Sequence, residues 1–274
     1  MAIDLVNKYP AMAAWLERCA EVAAYLWERG WAERNAGNLS VDVSDLIDGG
    51  EIDSSTAEAR PLPFAYPRLA SRRFLVTGTG RRFRDVCRDT QRNMCILRMS
   101  AGGDSYRIIW GGDGTPDFKP TSEFPSHLRV HEYLRESSPH RNVVLHTHPT
   151  ELIALSHLPD LQEEEPINRA LCGVHPEVKV FIPRGVGLVR YMIPGTEALA
   201  LATVAAFRKR HVVTLWQKHG CVAVGRDVTE TFDLIDILNK AARIILLCKA
   251  AGGDPQYLTV EQLEELKDAF GLKA

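Results

Sequence analysis

The sequence predicts an α/β chain of the α+β-like kind: three α/β/α layers around a mixed, largely antiparallel central sheet. Two observations carry this. Short β-rich runs lie at 74–77, 94–99, 106–110, 143–146, 178–182, 212–216 and 221–224, and only some of them are separated by stretches long enough for a helix. Neighbouring runs without an intervening helix can pair as antiparallel hairpins, while the others cross over, which leaves helices to cover both faces of the sheet.

Taken in order, the first element is a helix over 11–29. Trp15, Cys19, Val22 and Leu26 recur at helical spacing, Leu16, Ala20, Ala23 and Trp27 widen the stripe, and Gly30 supplies a stop. Residues 44–73 are polar and broken by Pro61, Pro63 and Pro67, which reads as a surface excursion of one domain spanning 1–274 rather than as a linker. Further helices are expected at 126–135, 150–157, 196–210, 229–251 and 259–270, the last opening with the capping-box pair Thr259 and Gln262.

Composition narrows the function. With 45% apolar residues, 274 residues can bury a substantial core. Thirty-three basic side chains balance 35 acidic ones and are interspersed with them, so no net field favours nucleic acid or an anionic membrane, and the expected ligand is small. The start has no basic stretch followed by an apolar run, and no segment has the roughly 18 apolar residues of a membrane helix, so a cytoplasmic protein is expected. Cys19, Cys87, Cys95, Cys172, Cys221 and Cys248 lie apart in apolar surroundings and read as reduced thiols.

The chemistry centres on His146-Thr147-His148 at the end of the run 142–145. Alternate residues of a strand share a face, so both imidazoles can grip one metal ion. The run 212–216 leads through Gln217 and Lys218 to His219-Gly220, a third imidazole beside a residue without a side chain; three histidines with an open position describe a catalytic zinc site. A cupin would place a glutamate such as Glu151 after H-x-H, but 151–155 reads as the start of a helix. A (β/α)₈ amidohydrolase carries H-x-H on its first strand, whereas 145 residues precede it here. His127 and His131 lie four apart but lack the glutamate of H-E-x-x-H.

Glu123, in Thr121-Ser122-Glu123, stands just before a helix and can complete coordination or move a proton at carbon. The turn Thr77-Gly78-Thr79-Gly80 can aim successive backbone N–H groups and two hydroxyls at an anion, and Asn35-Ala36-Gly37-Asn38 can place two amides beside a bend. Each also reads as an ordinary tight turn.

In this order and spacing, Asn35 to Asn38, Thr77 to Gly80, Thr121 to Glu123, His146 to His148 and Lys218 to Gly220 resemble the class II sugar-phosphate aldolase family over nearly the whole chain. The resemblance implies that family's fold and a zinc-dependent aldolase that cleaves L-rhamnulose 1-phosphate reversibly to dihydroxyacetone phosphate and L-lactaldehyde. It implies Zn²⁺ on His146, His148 and His219, Glu123 as acid and base, and phosphate held by Asn35, Gly37, Thr79, Gly80 and Ser122, with Thr79 standing where a serine is usual. It also implies that Glu177 is a second carboxylate delivered from the adjoining subunit of a C4 homotetramer. The same scaffold carries fuculose-phosphate cleavage, ribulose-phosphate 4-epimerisation and methylthioribulose-phosphate dehydration. An adducin-like interaction module, the non-enzymatic alternative, would lack the three histidines.

Overall fold

A computed structural model describes residues 8–47, 58–113, 115 and 117–272. A single sheet of nine strands organises them, in the order β2-β5-β4-β3-β1-β6-β9-β8-β7. The strands are β1 (Asn38–Asp42), β2 (Arg60–Pro61), β3 (Arg73–Thr77), β4 (Met94–Met99), β5 (Ser105–Gly111), β6 (Val143–Thr147), β7 (Gly187–Val189), β8 (Val213–Trp216) and β9 (Gly220–Gly225). Every pairing is antiparallel except β7 with β8, so the sheet is mixed and largely antiparallel, as expected.

The helices are α1 (Pro10–Glu28), α2 (Phe83–Val86), α3 (Thr90–Asn93), α4 (Phe124–Ser137), α5 (Thr150–Leu155), α6 (Glu164–Val174), α7 (Pro176–Phe181), α8 (Glu197–Arg208), α9 (Val228–Ala250) and α10 (Val260–Ala269). Strand alternation splits the sheet's apolar side chains between two faces. Leu39, Leu75, Ile96, Leu145 and Ala223 meet Leu26 of α1, Leu152 of α5, Leu171 of α6 and Leu238 of α9. On the other face, Phe74 and Val76 pack with Phe124 and Leu128 of α4, and Val144 and Val222 pack with Leu134 of α4 and Phe207 of α8. That division makes the three layers. Both hydrogen bonds of the capping box at Thr259 and Gln262 are present. All six cysteines are free, and four are buried.

The strand expected at 178–182 is instead helical through Phe181, in α7, and Ile182 caps that helix. Pro176 presets the first helical turn and Glu177 favours its N-terminal end, and these local signals outweigh the alternation of Val178, Val180 and Ile182. Strand β1 was not expected, because its alternation Asn38-Leu39-Ser40-Val41-Asp42 shows only two apolar residues; all five are nonetheless buried, Asn38 and Ser40 against α4 and Asp42 against Ser44 and Arg72. Helix α6 and the short strand β7 were also missed. Part of the excursion at 44–73, residues 48–57, lies outside the described residues. The rest contributes Pro61 to an edge strand, where a missing N–H is tolerated, and buries Tyr66 and Leu69 beneath α4. No described helix is long and apolar enough to cross a membrane.

Candidate metal centre

The central strands end together at one edge of the sheet. The register pairs Asn38 with His146 and Ser40 with Val76, so the start of β1 and the ends of β3 and β6 lie side by side. The β8–β9 turn joins them because His146 is opposite Val222, and Trp216 pairs with Gly220 across a turn in which Lys218 takes a left-handed φ of 64°.

His146, His148 and His219 converge at this edge, one ligand nitrogen of each lying within 4.8 Å of the others. His146 Nε2 and His148 Nε2 are 3.3 Å apart. Two nitrogens bound to one tetrahedral zinc at its usual bond length stand about 3.3 Å from each other, so this spacing fits a shared ion. The outer nitrogens are held: His146 Nδ1 donates to the Cys221 carbonyl at 2.9 Å, and His148 Nδ1 lies 2.8 Å from Glu33 Oε1. Such partners fix the tautomer and aim Nε2 inward. His219 Nδ1 is buried with no hydrogen-bond partner among the described residues.

Burial, reinforced by the neighbouring imidazoles, holds His146 well below the ordinary histidine range, and burial with His148 also lowers His219. Neutral imidazole is the form that binds a metal. Trp216 forms one wall, its ring 4.6 Å from that of His146 and 5.2 Å from that of His219. Gly220 is required by closeness. A β-carbon there would lie 2.5 Å from the Thr147 carbonyl oxygen, 2.9 Å from His148 Cδ2 and 3.1 Å from His146 Cε1.

Glu123 joins the group from the N-cap of α4. Its Oε2 lies 3.8 Å from His146 Nε2 and accepts a 2.8 Å hydrogen bond from Asn38 Nδ2. The loop after α1 reaches the same place, because the Trp31 carbonyl accepts from both Thr147 Oγ1 and His148 N–H. Gly37, at φ 77°, approaches so closely that a β-carbon would stand 2.9 Å from the His146 carbonyl. Asn35, Thr79, Gly80 and Ser122 are exposed on segments at this edge.

The structure corrects one expectation about the 77–80 turn. Its N–H groups are not successively free: Gly78 N–H donates to the Asn93 carbonyl and Thr79 N–H to the Lys119 carbonyl. Thr77 Oγ1 is occupied with the Leu39 backbone, which leaves the Thr79 hydroxyl as the outward hydroxyl of the turn. Glu177 is exposed in the first turn of α7, and the metal-binding group among the described residues does not include it. Glu151 is directed elsewhere and accepts from Asn239. Sequence reasoning missed the hydrogen bond from Asn38 to Glu123; Asn38 had been read only as an amide beside a bend. It also missed Glu33 and Trp216, for which the sequence carries no signal beyond proximity to the motifs.

The chain is similar to known proteins over most of its length. Residues 17–246 match the family described as Class II Aldolase and Adducin N-terminal domain. The chain is similar to a rhamnulose-1-phosphate aldolase of Bacteroides thetaiotaomicron, with 38% identity over 98% of each chain. It is also similar to one of Enterococcus faecalis, with 33% identity over 95% of this chain and 92% of that one. Among solved structures, a sugar-phosphate aldolase from Thermotoga maritima superposes with a TM-score of 0.77 and 36% identity, covering 89% of this chain and 99% of that one.

Proposed function

From the premise that this chain belongs to the class II aldolase and adducin family and is an aldolase, a carbon–carbon lyase, we propose that it cleaves L-rhamnulose 1-phosphate reversibly to dihydroxyacetone phosphate and L-lactaldehyde. The observation that carries this is the convergence of three imidazole nitrogens beside a carboxylate, in a chain resembling rhamnulose-1-phosphate aldolases over almost its full length. His146, His148 and His219 would hold one zinc ion per subunit. Bound there, zinc supplies Lewis-acid stabilisation of the negative charge that cleavage leaves on the phosphate-bearing fragment.

The chain's own residues do the rest. In the cleavage direction the C4 hydroxyl gives its proton to solvent water, from which Glu123 is protonated, the C3–C4 bond breaks, and its electron pair stays on the C3 side. Glu123, a few ångströms from His146, returns a proton to C3; in condensation it removes that proton. Asn35, Gly37, Thr79, Gly80 and Ser122 are read as the phosphate cradle, with the exposed Thr79 hydroxyl and the Gly80 N–H contributing from the glycine turn. Glu177 is read as serving the site of an adjoining copy in a fourfold ring.

Incubating the zinc-loaded protein with dihydroxyacetone phosphate and L-lactaldehyde, then determining the configuration of the product, tests the reading. L-rhamnulose 1-phosphate is expected. The fuculose stereoisomer as main product would reassign the substrate, and an absence of any carbon–carbon bond formation would overturn the proposal.

A further inference from the structure

A line of hydrogen-bonded side chains runs from Glu123 into the core between β1 and α4. Asn38 Nδ2 lies 2.8 Å from Glu123 Oε2, and Asn38 Oδ1 lies 2.5 Å from His127 Nε2. His127 Nδ1 is 2.7 Å from Ser40 Oγ, which is 2.8 Å from His131 Nε2. Asn38, Ser40, His127 and His131 are all buried. Alternation puts Asn38 and Ser40 on one face of β1, and the spacing of four puts both histidines on one face of α4.

Elementary chemistry fixes the direction of every bond in the line. An ionised carboxylate can only accept, so Asn38 must turn its NH₂ toward Glu123 and its carbonyl oxygen toward His127. That oxygen needs a donor, so His127 carries its proton on Nε2. Burial pushes His127 and His131 down to about 3, which keeps both rings neutral at working pH. The Nδ1 of neutral His127 is therefore an acceptor, Ser40 O–H donates to it, and Ser40 Oγ accepts from His131 Nε2–H. Each group donates toward the site, and the line ends on Glu123.

We propose that His127 is a positioning residue for Glu123, fixing through Asn38 which amide face meets the carboxylate, while Ser40 and His131 lock the His127 tautomer. The proposal rests on the reading of Glu123 as the residue that moves the substrate proton. Without a donor on His127, the Asn38 amide is anchored from the carboxylate side alone, and its buried oxygen is left without a partner. An amide that shifts or turns to satisfy that oxygen lengthens or breaks the hydrogen bond that orients the reacting oxygen of Glu123.

The test uses His127→Phe, which keeps ring shape without a donor, and His127→Gln, whose amide N–H can take the place of Nε2–H. His127→Phe is expected to lower kcat for cleavage and the C3-proton exchange of dihydroxyacetone phosphate about 10- to 100-fold, the range that loss of one buried hydrogen bond covers. Zinc content should stay at the parental level and KM should move less than about threefold. His127→Gln should recover most of the loss. In a Glu123→Gln background, His127→Phe should have almost no further effect, because a residue acting through Glu123 has nothing left to position. Long-range proton–nitrogen NMR of the parent protein should show His127 neutral with its proton on Nε2 between about pH 6 and 8.

A proton on Nδ1 would overturn the proposal even if His127→Phe failed to fold. So would equal losses in the Phe and Gln variants, or a Phe effect undiminished by Glu123→Gln. A parental rate for Glu123→Gln alone would remove the reading of Glu123 as base, a result distinct from every outcome in the His127 series.

Discussion

Gly220→Ala adds one methyl group at the point where the three histidines meet. The new carbon would lie 2.5 Å from the Thr147 carbonyl oxygen, while β-carbon contacts under 3.0 Å are essentially never found, so at least half an ångström of movement is forced. Thr147 is a backbone neighbour held in β6 opposite Cys221 and cannot turn aside as a side chain could. The His148 and His146 rings, at 2.9 and 3.1 Å from the new carbon, must give as well. Overpacking of this kind costs about 1 to 3 kcal/mol of stability, and misplaced support of metal ligands costs about 10- to 100-fold in affinity. We expect zinc affinity, read by competition with a chromophoric chelator, to fall in that range while far-ultraviolet circular dichroism stays parental. Gly253→Ala, where a β-carbon meets nothing within 4 Å among the described residues, should leave affinity unchanged. Parental zinc affinity in folded Gly220→Ala would refute the view that this glycine is fixed by the approach of the ligands.

Three further outcomes are expected. Asn35→Ala and Thr79→Val should each weaken binding of dihydroxyacetone phosphate by about 1.5 to 3 kcal/mol while zinc is retained, and parental affinity in both variants would make their turns purely structural. His146→Ala and Glu177→Ala subunits, inactive alone, should regain activity in mixed oligomers, with roughly a quarter of the sites intact after random reassembly; no gain after verified mixing would place Glu177 within its own subunit's chemistry or outside the reaction. The native values of the buried His127 and His131 lie below the ordinary 6.5, so the unfolded chain binds more protons over that interval. Their effect is absent above about pH 6.5, and below it stability falls by about 1.4 kcal/mol per pH unit for each histidine, toward pH 3. Urea unfolding of the metal-free protein at pH 7.5, 6 and 5 should show a shallower fall for His127→Gln, and identical slopes would contradict the assignment.

The elements that were legible in the sequence are those whose pattern is local. Helix α1 follows its apolar period, strands β4, β6 and β9 are apolar runs of strand length, and the capping box at Thr259 announces α10. His146 and His148 were legible because period two alone places them together, and His219 because a glycine follows it after an apolar run. Strand β1 was obscured because its polar residues face neither water nor a ligand; Asn38 and Ser40 face two histidines of α4, and that partnership across 85 or more residues leaves no local trace. For the same reason His127 and His131 read as a pair of doubtful ligands. At α7 the failure ran the other way, since three alternating apolar residues imitated a strand that Pro176 turns into a helix.

The most direct test of the central claim follows the C3 proton of dihydroxyacetone phosphate into deuterated solvent, with no aldehyde present. The zinc-loaded protein should exchange it. Chelation should stop exchange and added zinc restore it, and His146→Ala, His148→Ala and His219→Ala should each fail for want of metal. Glu123→Gln should keep its zinc yet lose about 10²- to 10⁴-fold in rate. Exchange that persists in the chelated protein, or near-parental exchange in zinc-loaded Glu123→Gln, would contradict a centre in which three histidines hold the metal and Glu123 moves the proton.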